Sequence, residues 1–151
     1  MSDELDGIIN LVEISPRLGT AGQPTRAQFP AVAAAGYELV VNLAMSDSTG
    51  AIPDEAAVVV ASGMRYVHIP VVWEQPLLDD LSAFFDLMDS NRDRKVFVHC
   101  AFNFRVSTFV YLYRVLRLGE DPALAEADML SVWQPDDGWR TFIALALKHT
   151  W

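Results

Sequence analysis

The chain has 151 residues, of which 52% are hydrophobic, and its formal net charge is −9 at pH 7. This length and composition suffice for one domain with a packed core, and the apolar runs stop well short of the roughly 18 residues of a membrane span. The acidic surface excludes nucleic acid and anionic membranes as partners over most of its area. With this charge, a phosphate-binding site has to be a concave pocket that concentrates donors locally.

Cysteine content and the N-terminal residues indicate the compartment. A single cysteine, Cys100, cannot form an internal disulfide, and metal sites built from cysteine pairs are excluded. The N-terminal stretch MSDELDG is acidic and lacks the basic and then apolar order of a secretory signal. We therefore expect a cytoplasmic protein that uses no metal and no other cofactor.

Turn and capping residues divide the chain into alternating strands and helices. Thr25 and Gln28 form a capping box, Gly36 is typical of a helix end, and Pro30 disfavours the first turns of the helix between them. Strands are predicted at 8–14, 17–21, 38–43, 65–69 and 95–99. Helices are predicted at 25–36, 53–63, 79–90, 107–118, 121–132 and 137–147.

This alternation predicts an α/β fold: a short, mostly parallel sheet flanked by helices, in a single domain over 1–151. In such sheets, ligands bind beyond the carboxyl ends of the strands. Cys100 lies directly after the strand 95–99, at one of these ends.

Cys100 is followed by a short connection to the helix predicted at 107–118. The intervening residues would direct backbone N–H groups towards one point at the positive end of that helix, where an anion binds. The same dipoles would hold the thiol as a thiolate. Together with Arg105, this arrangement predicts a nucleophilic site for a phosphate- or sulfur-carrying group.

The segment HCAFNFRVS resembles the signature loop of cysteine-dependent protein tyrosine and dual-specificity phosphatases. From about residue 12 to 143 the chain resembles the bacterial beta-lactamase-hydrolase-like proteins, in ISPRLGTAGQPT, VVNLA, IPDE, GMRYVHIPV, VHCAFNFRVSTFVYLYRVLR and residues 133–139. The resemblance implies the phosphatase-like α/β fold. It also implies a phosphomonoester hydrolase in which Cys100 is the nucleophile and Arg105 holds the phosphoryl oxygens. The residues it places around the substrate are Ala101, Phe102, Asn103, Phe104, Val106 and Ser107.

The spacing within the loop departs from the phosphatase pattern. Four residues separate Cys100 from Arg105, where phosphatases have five, and Val106 separates the arginine from Ser107. Ser107 keeps the usual distance from the cysteine, so the arginine is displaced by one position. An arginine displaced in this way need not fork onto two phosphate oxygens.

The general acid also departs from the pattern. Phosphatases deliver a proton to the leaving oxygen from an aspartate on a preceding loop. Alignment through Pro76 places Val72 in that position, and valine cannot donate a proton. Glu74 is the nearest carboxyl and the predicted stand-in, so we expect a slow enzyme or one selective for aryl esters.

Other interpretations stay open at this stage. Cys100 could be an inert buried thiol, Arg105 could pair with an acidic neighbour, and Phe102 and Phe104 could either form a rim around the substrate or pack against the helices. A rhodanese-like sulfurtransferase also has four residues after its cysteine and needs no general acid. A third possibility is a catalytically impaired module that binds a phosphorylated small molecule or a phosphoprotein. Oligomeric state is not predicted.

Overall fold

The computed structural model describes residues 5–151 and contains a five-stranded sheet. Its strands follow the spatial order β1-β2-β5-β3-β4, with β1 antiparallel to β2 and the other neighbours parallel. The predicted α/β class and mostly parallel sheet are thereby confirmed. The strands are β1 (Val12–Ser15), β2 (Leu18–Ala21), β3 (Leu39–Asn42), β4 (Arg65–His68) and β5 (Val96–His99).

Helices flank the sheet on both faces. They are α1 (Phe29–Ala34), α2 (Glu55–Ala61), α3 (Leu78–Asp89), α4 (Phe104–Leu116), α5 (Pro122–Leu130) and α6 (Asp137–Lys148), and a 3₁₀ turn at Arg26–Gln28 precedes α1. Over residues 5–151, none of these helices has the length and apolar character needed to cross a membrane.

Two helix starts differ from the prediction. The helix after Cys100 begins at Phe104 and not at Ser107, because Asn103 adopts the left-handed conformation (φ 70°) that precedes the first turn. Arg105 therefore belongs to the helix. Pro30 occupies the first turn of α1, where its missing N–H has no intrahelical acceptor to lose.

Each face of the sheet buries its own hydrophobic cluster, because successive side chains of a strand point to opposite faces. Val41 and Val98 pack with residues of α3, α4 and α6, including the buried Trp139. Val40 and Phe97 pack on the other face with residues of α1 and α2. The central strand β5 is thus fixed from both sides, and so is the position of Cys100 just beyond its end.

Candidate functional site

Loops that follow β3, β4 and β5 border one cavity of about 530 Å³. These three strands are adjacent and parallel, so their carboxyl ends meet at the same edge of the sheet, where ligands of such folds bind. The residues that line the cavity are Met45, Asp47, Ser48, Thr49, Val72, Trp73, Glu74, Cys100, Ala101, Phe102, Phe104 and Arg105.

The loop after Cys100 offers unpaired backbone donors. Among residues 5–151, the N–H groups of Ala101, Phe102, Phe104 and Arg105 have no protein acceptor. The last two belong to the first turn of α4, whose N–H groups have no partner within the helix. A left-handed residue followed by a helix start is a backbone arrangement that binds anions.

Two asparagines fasten this loop to the N-terminal segment. Asn103 is fully buried and donates from Nδ2 to the carbonyl of Asn10 (2.8 Å) and to the hydroxyl of Thr20 (3.2 Å). Asn10 donates in turn to the carbonyl of Phe102 (2.9 Å). These hydrogen bonds fix the loop in one conformation, so its donors need no reorganisation when an anion arrives.

Cys100 borders the cavity although it is only 1% exposed. His99 lies behind it, fully buried, with Nδ1 at 3.3 Å from the carbonyl oxygen of Cys100 and Nε2 at 2.6 Å from Glu55 Oε2. His99 therefore supports the start of the loop from the buried side of the sheet.

Glu55 is the buried acidic partner of this histidine. Burial alone opposes its ionisation, but hydrogen bonds from His99, Gln23 and Tyr66 outweigh that effect and hold the pKa of the Glu55 carboxyl below its usual range. Gln23 Nε2 donates to Glu55 Oε1 (2.7 Å). Glu55 is thus a carboxylate at neutral pH.

Arg105 is 6% exposed and borders the cavity beside Cys100. Its Nη1 donates to the carbonyl of Val71 (2.9 Å), and its Nη2 lies 3.4 Å from the hydroxyl oxygen of Ser48. The buried Nε has no acceptor, and no carboxylate of residues 5–151 forms an ion pair with this guanidinium. An acidic neighbour therefore does not explain the arginine.

The predicted substrate-binding residues fall into two groups. Ala101, Phe102 and Phe104 border the cavity, whereas Asn103, Val106 and Ser107 do not line it. Val106 is buried in the hydrophobic core, and Ser107 faces a different, smaller cavity while its hydroxyl donates to the carbonyl of Phe104 (3.1 Å). The structure therefore does not bring the Ser107 side chain to the cavity, because the early start of α4 turns it away from the loop.

Aromatic side chains form one wall of the site. Phe104 stacks on Trp133 with a centroid distance of 4.8 Å and an interplanar angle of 4°, and Trp73 packs against both. Trp139 fixes Trp73 by donating from Nε1 to its carbonyl (3.1 Å). Phe102 is 40% exposed at the cavity. Phe104 thus packs against the aromatic side chains of Trp133 and Trp73, whereas the exposed ring of Phe102 can form part of the rim of the cavity.

Sequence reasoning missed the loop after β3, which contributes Met45, Asp47, Ser48 and Thr49. A signal for it existed, since adjacent parallel strands place their carboxyl ends side by side and this loop follows a buried strand. For Glu55 the sequence offered only an acidic residue in the first turn of a helix, which is typical of solvent-exposed positions.

Gly22 approaches the loop so closely that a larger residue would displace it. A Cβ atom there would lie 2.6 Å from the carbonyl oxygen of Ala101, which also accepts a hydrogen bond from the backbone N–H of Gln23 (2.9 Å). We expect Gly22→Ala to lower the free energy of unfolding by about 1–3 kcal/mol, because backbone has to move. Denaturant unfolding measures the loss. Gly138→Ala, where the new Cβ would make only an ordinary contact (3.6 Å to Asp136 Oδ1), tests whether glycine replacement alone has this effect.

Comparison with known proteins agrees with this geometry. A sequence model of the family described as DSP-PTPase phosphatase fused to NAD⁺ kinase matches residues 9–138. The chain is 32% identical over 108 residues to the beta-lactamase hydrolase-like protein of Agrobacterium fabrum, which covers 70% of this chain and 25% of that protein. The chain thus spans about a quarter of the length of this curated relative.

Solved structures show the same architecture. A Shewanella putrefaciens CN-32 protein, described as a candidate phosphatase of the DUF442 group, superposes with a TM-score of 0.88 at 36% identity, covering 97% of this chain and 96% of its own. Pseudomonas aeruginosa TpbA has the same fold at 19% identity, with a TM-score of 0.72 over 90% of this chain and 84% of its own. A cysteine-to-serine variant of TpbA has been solved in complex with phosphotyrosine. The chain therefore belongs to the family described as DSP-PTPase phosphatase fused to NAD⁺ kinase, whose sequence model matches most of its length.

Proposed function

We propose that this protein is a cysteine-dependent phosphatase that hydrolyses phosphomonoesters through a cysteinyl-phosphate intermediate. The observation that carries the proposal is Arg105, a buried cation that lines the cavity beside Cys100 without a carboxylate partner among residues 5–151. An unpaired buried charge is destabilising by several kcal/mol, and an anionic ligand offsets that penalty.

The reaction uses the groups that surround the cavity. The Cys100 thiolate attacks phosphorus while the N–H groups of Ala101, Phe102 and Phe104 and the Arg105 guanidinium hold the non-bridging oxygens. The bond from phosphorus to the leaving oxygen breaks and an S–P bond forms. Water then attacks phosphorus, the S–P bond breaks, and inorganic phosphate leaves with the thiolate regenerated.

The substrate is proposed to be a phosphorylated small molecule or a phosphoprotein. Two observations support an aromatic ester: the exposed ring of Phe102 at the cavity, and the phosphotyrosine complex of the fold relative TpbA. Apolar rings at the rim would bury the flat aromatic part of the substrate, while the loop after Cys100 holds the phosphoryl group. Phenolate also leaves with less help from a proton donor than an alkoxide does.

The proton donor is the part of the mechanism in which this chain differs from the usual phosphatase pattern. Val72, at the aspartate position of that pattern, is 40% exposed and borders the cavity. The predicted stand-in Glu74 also borders it, as does Asp47 on the opposite loop. Glu74 therefore stays a candidate acid, with a second carboxyl in the same cavity.

The proposal is tested by phosphate release from p-nitrophenyl phosphate, with and without orthovanadate. Vanadate adopts the five-coordinate geometry of the transferring phosphoryl group, so we expect it to inhibit the wild-type protein strongly at micromolar concentrations. Undetectable hydrolysis, or hydrolysis that is insensitive to vanadate, would contradict the proposal.

A sulfurtransferase is the second candidate, and the length of the loop favours it. Four residues separate Cys100 from Arg105, and Arg105 lies in the first turn of α4. A persulfide on Cys100 would be held by the same N–H groups, and its transfer needs no general acid at the Val72 position. Thiocyanate formation from thiosulfate and cyanide is the measurement. Activity in this assay without phosphate release would favour the sulfurtransferase, and its absence would remove it.

A further inference from the structure

We infer that Asp47 is the proton donor of the reaction, a role that the phosphatase loop pattern does not assign to it. This inference rests on the proposed phosphatase function. Asp47 belongs to the loop after β3 and borders the same cavity as Cys100 and Arg105. It thus lies on a different element from both the phosphatase aspartate position at Val72 and the nearby Glu74.

The loop that carries Asp47 is attached to the phosphoryl-binding arginine. The Ser48 hydroxyl oxygen accepts from the backbone N–H of Met45 (2.9 Å), which closes the turn around Asp47, and it lies 3.4 Å from Arg105 Nη2. Asp47 is therefore the immediate chain neighbour of a residue that contacts the guanidinium. Asp47 thereby lies in the wall of the cavity that would receive a phosphoryl group and its leaving oxygen.

The Asp47 carboxyl is also free for this role. It is exposed, and no cation of residues 5–151 lies within ion-pair distance of it. A general acid has to be protonated before the chemical step, and an ion pair would oppose that protonation. The titratable groups that share its cavity are Cys100 and Arg105 from the loop and first turn of α4, and Glu74 from the loop after β4.

Glu74 is the less suitable carboxyl. It borders the cavity of Cys100 but also a second one of about 370 Å³, which it shares with Asp136 and Asp137 at the start of α6. Its side chain also has one more rotatable bond than that of an aspartate, so fixing it at the leaving oxygen would cost more rotamer entropy.

In the proposed step, the Asp47 carboxylic acid gives its proton to the leaving oxygen as the P–O bond breaks and that oxygen takes the bonding electron pair. Asp47 is then a carboxylate. In the second step it accepts a proton from the water that attacks the cysteinyl phosphate, and the electron pair of the S–P bond returns to sulfur. The carboxylic acid and the thiolate are both regenerated.

The experiment compares Asp47→Asn with the wild-type protein on two esters, phenyl phosphate and p-nitrophenyl phosphate. Phenolate is the poorer leaving group and depends on protonation. We therefore expect kcat for phenyl phosphate to fall by about 10²–10³-fold, while kcat for p-nitrophenyl phosphate falls far less. The decrease of kcat at alkaline pH, which reports deprotonation of the acid, should disappear in the variant. Asp93→Asn, an exposed aspartate in the turn before β5, is the matched control and should behave as wild type.

The outcomes separate the two proposals. An active wild type with an Asp47→Asn variant that keeps its kcat for phenyl phosphate and its alkaline limb overturns the assignment of Asp47 and leaves the phosphatase function standing. A comparable loss of kcat for phenyl phosphate in Glu74→Gln, but not in Asp47→Asn, would identify Glu74 as the proton donor. A wild type that releases no phosphate from either ester overturns the phosphatase function and this inference together. Equal thermal unfolding midpoints exclude a folding defect as the cause of any loss.

Discussion

Replacing Cys100 by serine is expected to reduce hydrolysis of aryl phosphates to background, a loss of at least about 10³-fold. The serine hydroxyl is not ionised at neutral pH and is a far weaker nucleophile than a thiolate, so the attack on phosphorus fails. The change in size is small, and the N–H groups of Ala101 and Phe102 and the Arg105 guanidinium remain in place. The measurement is phosphate release from p-nitrophenyl phosphate under saturating substrate.

Binding should survive this substitution, which separates loss of chemistry from loss of the site. Inorganic phosphate is expected to raise the thermal unfolding midpoint of Cys100→Ser and of the wild type alike, because it binds the native state only. Arg105→Ala should lose that shift, since it removes the buried cation. A Cys100→Ser variant that hydrolyses as fast as the wild type would exclude Cys100 as the nucleophile.

The largest effect on stability is expected from Glu55→Ala. Glu55 is 3% exposed and forms a buried pair with His99 (2.6 Å). Removal of one partner leaves the other buried without compensation, so the free energy of unfolding should fall by about 3–5 kcal/mol. Urea unfolding at neutral pH measures this difference. Glu55→Gln keeps an acceptor for His99 and should lose less.

The same pair predicts how stability depends on pH. Because the pKa of Glu55 is lowered on folding, its stabilising contribution is complete above the ordinary glutamate pKa of about 4.3 and is lost as the pH falls through the lower folded value. The wild type should therefore lose stability on acidification in this window more steeply than Glu55→Gln does. Asp93→Asn, at an exposed position outside the ion pairs of residues 5–151, is the control and should not remove this slope. Parallel pH curves for Glu55→Gln and wild type would contradict the assignment.

Much of the fold could be predicted because local signals and tertiary structure agree. Gly36 and Gly63 have positive φ angles beyond the ends of α1 and α2, where the sequence placed helix ends, and Asp121 accepts from the N–H of Ala123 as an N-cap should. The start of α4 was misplaced because residues 101–106 were all expected to lie in the connection before the helix. The left-handed conformation of Asn103, which precedes the first helical turn, depends on hydrogen bonds to Asn10 and Thr20 that are remote in sequence.

The site was predictable where it is continuous in sequence and not where tertiary structure assembles it. Cys100, Arg105 and the loop between them were recognised from one segment, and the structure places them together at the cavity. Asp47 and Glu55 come from segments distant in the chain, and nothing local distinguishes them from ordinary surface acids. Ser107 was expected near the substrate from its spacing alone, but the helical turn directs its side chain elsewhere.

One contact of Arg105 has a consequence for how the protein responds to its ligand. The guanidinium donates to the carbonyl of Val71, at the base of the segment that carries Val72, Trp73 and Glu74. An anion that binds this guanidinium competes with the Val71 carbonyl for it. Anion binding and the conformation of the segment 71–74 are therefore thermodynamically linked. A stronger hydrogen bond from Arg105 to Val71 would lower the affinity for the anion, and a tightly bound anion would weaken that hydrogen bond and free the segment to move.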